Sequence, residues 1–164
     1  MDLADFYTLM AVTCFTLVGL WWTVVERHPG WKVHPLRRRL AGGVYLSFLL
    51  PGLMSTFAQV DAGNPVIWRA GFAAAAVVGL VSTIRLVGTD TAGTRGPFRR
   101  HRWVVAVFYA LVLVLGAVPE LAGVIGLTGL QAASLALIGL IILGHGLAWE
   151  FMMEPEAETA RATP

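Results

Sequence analysis

Residues 104–148, VVAVFYALVLVLGAVPELAGVIGLTGLQAASLALIGLIILGHGLA, contain only two acidic or basic side chains, Glu120 and His145. A single helix over that length would reach about 65 Å, roughly twice the thickness of a bilayer's hydrocarbon core. The chain must therefore turn back on itself. Pro119, Gly123 and Gly126 cluster near the middle and supply the breakers, so the stretch reads as two spans, 103–121 and 127–149, with a turn near Glu120.

Three further segments meet the same length requirement: 6–25, 40–60 and 66–86. The last is free of charge only between Arg69 and Arg85, two side chains long enough to snorkel toward opposite headgroup layers. Composition agrees. Apolar residues make up 57% of the chain, charged residues 13%, and mean hydropathy is +0.70. A soluble domain carries about 25% charged residues to keep its surface wet. The reading is an all-α, polytopic membrane helix bundle of five transmembrane helices, with 1–152 as the transmembrane domain and 153–164 as a disordered cytoplasmic tail rich in Glu and Pro.

Net charge is +2, but the basic residues are not spread as in a nucleic-acid-binding surface. Arg27, Lys32, Arg37, Arg38 and Arg39 precede the second span, while Arg85, at the end of the third, and Arg95, Arg99, Arg100 and Arg102 lead up to the fourth. The loops around Asp61 and Glu120 carry acids only. Cationic loops stay in the cytoplasm, which places the N-terminus outside and the C-terminus inside, as in a multi-pass protein of a cell membrane, specifically a bacterial inner membrane. Trp21, Trp22, Trp68, Trp103 and Trp149 fall near span ends, where indole prefers the interface. The N-terminal segment bears Asp2 and Asp5 in place of the cationic start of a secretory signal, and is expected to be retained.

The first span carries the most informative pattern. At about 100° per residue, Asp5, Thr8, Thr13, Thr16, Thr23 and Glu26 share a band about 140° wide along the whole helix. Met10, Cys14, Leu17, Val18, Trp21 and Val25 occupy the other side, as lipid or apolar packing requires. Such a band can line a polar path, with hydroxyls on the wall and acids at the two mouths favouring cations. It can equally be a packing seam, with each threonine bonded back to its own helix. Leu9, Val12 and Leu20 interrupt it.

On the last span, Gln131, Ser134, His145 and Trp149 form a thinner stripe, and His145 with Glu150 is the candidate pair for proton relay or pH sensing. The bland alternative is a neutral, hydrogen-bonded imidazole near the inner interface. Gly71, Ala75 and Gly79 repeat every fourth residue on the third span, a spacing that lets another helix approach closely. Pro51 and Gly52 interrupt the second span, with Ser47 and Ser55 near enough to satisfy freed backbone. Arg37, Arg38, Arg39, Arg99, Arg100 and Arg102 form a belt that should attract anionic lipid headgroups.

No catalytic constellation emerges, because most of the charge is arginine at topogenic positions. Cys14 is the only cysteine, and His28, His34 and His101 match no zinc spacing, so neither a metal site nor a cofactor is expected. GTDTAGTR, residues 88–95, lacks the lysine with its following hydroxyl that a phosphate-binding loop requires, and no strand is expected before it. The expectation is a homo-oligomer that forms a path for ions or small solutes. The alternatives are a noncatalytic subunit or assembly factor of a larger membrane complex, and a small membrane enzyme or lipid-handling protein.

Overall fold

The computed structural model describes residues 2–60, 65–88 and 102–153, and no strand occurs among them. Asp2 opens helix α1 (Leu3–Arg27) with a capping box: its carboxylate accepts from the Asp5 backbone N–H, and the Asp5 carboxylate accepts from the Asp2 N–H. The short helix α2 (Pro29–Val33) and the long α3 (Pro35–Phe57) each begin with proline, whose missing N–H costs nothing in a first turn. Helix α4 (Pro65–Gly88) follows, then α5 (Arg102–Ala117), a 3-10 segment (Pro119–Ile125) and α6 (Gly129–Met153).

Four of these helices, α1, α3, α4 and α6, are long and apolar enough to cross a membrane unaided. Helix α5 is shorter. It ends at Ala117, and the chain bends by 104° into the 3-10 segment. The fourth span therefore stops four residues before the expected 121, because Pro119 cannot continue the helix. Gly126 closes the segment at φ +73°, a left-handed conformation that suits glycine, and α6 begins at Gly129 rather than at 127. At the other end α6 runs on to Met153, past the expected 149. Helix α3 starts and stops earlier than the expected 40–60.

Contacts between helix ends fix the threading. The Tyr7 hydroxyl donates to the Leu130 carbonyl at 2.7 Å, which sets the starts of α1 and α6 side by side. Trp21 Nε1, near the end of α1, donates to the Ala41 carbonyl near the start of α3 at 3.0 Å. Arg69, at the start of α4, meets the end of α5. Thus α1, α4 and α6 run one way and α3 and α5 the other, as short connections between successive spans require. Helix α3 packs against α1, α4 and α6, and α5 closes the far side against α4 and α6.

The main core joins Tyr7, Met54, Phe72, Val112 and Leu137 from five helices, all essentially without exposure. A second cluster lies at the end where the basic segment sits, with Trp21, Trp31 and Phe151 in edge or tilted ring contacts and Phe48 buried beside them. Trp31 Nε1 is buried there without a hydrogen-bond partner. Pro51 lies inside an unbroken α3. The nearby Ser47 and Ser55 hydroxyls donate to the carbonyls of Val44 and Pro51 respectively.

The row Gly71, Ala75, Gly79 is buried within the chain. Side chains fill the space that a Cβ would take at its two glycines. A Cβ at Gly71 would fall 2.4 Å from the Phe57 ring of α3, and one at Gly79 would fall 2.4 Å from the Tyr109 ring of α5. The row is a set of notches that admits aromatic rings from two different helices. Thr83, next in the row, donates to the Gly79 carbonyl at 2.7 Å.

Candidate functional site

Helix α1 packs on α3 and α2, and it is the least enclosed of the four long spans. Its inner side is the one carrying Cys14, fully buried, and Trp21. The close approach at that seam depends on Gly52, where a Cβ would come within 3.0 Å of the Cys14 Cβ. Everything in the polar band lies on the other side. Asp5, Thr8, Thr13, Thr16, Thr23 and Glu26 are all exposed on the exterior of the single chain.

The band thus faces away from the buried seam that α1 makes with α3. Three of its hydroxyls are held by their own helix: Thr8 donates to the Ala4 carbonyl at 2.9 Å, Thr16 to Val12 at 2.8 Å and Thr23 to Leu20 at 2.7 Å. A threonine that donates inward leaves its oxygen lone pairs directed outward. The same surface then presents acceptors without leaving donors unsatisfied in lipid. Thr8 also approaches the Gln59 side-chain oxygen at 2.8 Å, tying the start of α1 to the turn after α3.

Leu9, Val12 and Leu20 protrude between the threonines, each more than half exposed. At Gly19 an added Cβ would meet nothing. The face therefore alternates knobs with a small-residue recess formed by Thr16, Gly19 and Thr23, the relief that membrane helices use when they pack on one another. Asp5, the expected charge at one mouth, is engaged in the capping box, whereas Glu26 is exposed at the opposite end.

The stripe on α6 is dispersed by comparison. His145 is exposed, with Nδ1 2.9 Å from the Ile141 carbonyl and its ring edge-on to Phe48. The Gln131 side-chain oxygen accepts from the Thr128 N–H, and the Thr128 hydroxyl oxygen accepts from the Gln131 N–H, a capping box at the start of α6. Ser134 donates to the Gln131 carbonyl. Glu150, half-buried, lies one turn beyond His145, and the described residues hold no group of three metal-ligating side chains. At the end of α1, Glu26 is exposed while His28 stacks on Trp31 and contacts the Val24 carbonyl.

In the basic belt, Arg38 and Arg39 are exposed, and Arg37 is half-buried over the Phe151 ring at 6.0 Å. Arg99, Arg100 and the Arg102 side chain lie outside the described residues, as do 88–95 beyond Gly88 and the tail 154–164. Arg69, read from sequence as a snorkelling cation, instead donates to the carbonyls of Gly116 and Ala117. The site rests on this geometry alone, since no protein-family model, no curated protein and no solved structure matches the chain.

Proposed function

We propose that the protein assembles with copies of itself through the exposed face of α1, and that the assembly provides a route for cations or small solutes between chains. One observation carries the reading: all six residues of the polar band lie outside the single bundle, on its least enclosed span. Outward lone pairs of back-bonded threonines suit a path for cations. In a symmetric assembly the carboxylate of Glu26 recurs once per chain and forms an acidic ring at one mouth. A dry seam between parallel copies would instead force like charges together.

A second reading, a noncatalytic subunit of a larger membrane complex, is supported by the internal satisfaction of Thr8, Thr16 and Thr23, which lets the same face lie against an apolar foreign helix.

Reconstitution in liposomes separates the two. Cation flux from purified protein, reduced at least tenfold by Thr16→Leu with the fold intact, supports the route. Flux unchanged by that substitution removes α1 as its lining. Absence of flux together with recovery of a foreign membrane protein in fixed ratio favours the subunit.

A further inference from the structure

At the end of the bundle that carries the basic segment before α3, helices α3 and α4 leave a cleft of about 850 Å³ between them, open on one side. Arg39, Gly42, Gly43 and Leu46 line it from α3, and Ser82 and Arg85 from α4. No carboxylate is among the lining residues. Gly43, Leu46, Ser82 and Leu86 continue into a narrower recess of about 60 Å³ that reaches Tyr109 of α5 and Leu147 of α6. The volume falls within the range of ligand pockets, about 300–1,000 Å³.

Polarity in this cleft is graded along the membrane normal. Arg39 stands in the first turns of α3 and Arg85 in the last turn of α4, both exposed, so two cations occupy the level of the headgroups. Below them the walls turn apolar; Gly42 leaves the floor open, while Gly43 admits the Leu86 side chain, whose Cδ1 would lie 2.9 Å from a Cβ there. A charged rim over an apolar floor matches an amphiphile, and two guanidiniums facing one opening match a phosphate, which Arg binds through paired N–H donors. Basic recesses between membrane helices take anionic headgroups for the same reason.

We propose that this cleft seats one anionic phospholipid, its phosphate between Arg39 and Arg85 and one acyl chain along Gly42, Gly43 and Leu46. The site selects Arg39 out of the Arg37, Arg38, Arg39 run. It recruits Arg85, which lies 46 positions away in sequence and belongs to a different helix. It is independent of the α1 face.

The test is native mass spectrometry of protein released from nanodiscs containing phosphatidylglycerol and phosphatidylcholine in equal amounts. The wild type retains one phosphatidylglycerol in preference to phosphatidylcholine. Arg39→Gln with Arg85→Gln lowers that preference by about fivefold for each arginine removed. Arg37→Gln with Arg38→Gln, equal in charge change, leaves it unaltered. Gly42→Leu has open space at its Cβ, so it folds, fills the floor and loses the retained lipid. Millimolar inorganic phosphate does not displace the lipid, because the apolar floor holds the chain. Equal effects of the two arginine pairs, retention in a Gly42→Leu protein that melts like the wild type, or displacement by phosphate alone would each overturn the proposal.

Discussion

Arg69, in the first turns of α4, donates from Nε to the Gly116 carbonyl oxygen at 2.8 Å and from a terminal nitrogen to the Ala117 carbonyl. Both acceptors belong to the last turn of α5, where carbonyls have no helical partner and the helix dipole is negative. Water supplies such partners in a soluble protein. Near the end of a membrane span a guanidinium does so, and it clamps α4 to α5 just before the 104° bend. Arg69→Gln should therefore destabilise the folded protein in detergent by about 2–3 kcal/mol, the value of hydrogen bonds to a charged group. Thermal unfolding of the two proteins checks this, and an unchanged midpoint would mean the carbonyls find other donors.

Trp21 and Trp31 are similarly buried and in ring contact, yet only Trp21 has a hydrogen-bond partner. Replacing either by phenylalanine removes much the same ring area. Trp21→Phe also removes the side-chain donor to the Ala41 carbonyl, whereas Trp31→Phe removes an N–H that was already unsatisfied. The first substitution should cost about 1–3 kcal/mol more than the second. Denaturation of the two variants under one set of conditions measures the difference directly.

Glycine on α4 and glycine on α3 should respond in opposite ways to one added methyl. At Gly79 the new Cβ would lie 2.4 Å from the Tyr109 ring, and at Gly42 nothing lies within 4 Å. Gly79→Ala is expected to cost about 1–3 kcal/mol through overpacking. Gly42→Ala should be neutral or stabilising by up to about 1 kcal/mol through helix propensity. Adding Tyr109→Leu to Gly79→Ala should recover part of the loss, and melting curves of the three proteins decide it.

The helical, multi-span architecture was legible because apolar run length is a one-dimensional property: 3.6-residue periodicity is not needed when a whole segment meets lipid. The turn after α5 was legible too, from Pro119 and Gly126. The partner of the last α5 carbonyls was not, because it lies on another helix, in Arg69. The angular pattern of α1 could be computed from sequence, but the direction it faces could not. That direction depends on Cys14 nesting against Gly52, a contact between residues 38 positions apart. The same holds for the small-residue row of α4. Its spacing announced a close approach, while the identities of Phe57 and Tyr109 as the groups received required the fold. The cleft of Arg39 and Arg85 had no sequence signature, since each arginine alone reads as a topogenic charge.

Cross-linking at Thr16 tests the outward-facing band most directly. In a Cys14→Ala background, Thr16→Cys places a thiol on the exposed face of α1, and oxidation in native membranes should join two copies of this chain into a covalent dimer. A folded Thr16→Cys protein that stays uncrosslinked under oxidation, while its thiol is shown intact by full reaction with a thiol reagent after denaturation, would show that this face meets no second copy, which contradicts the account.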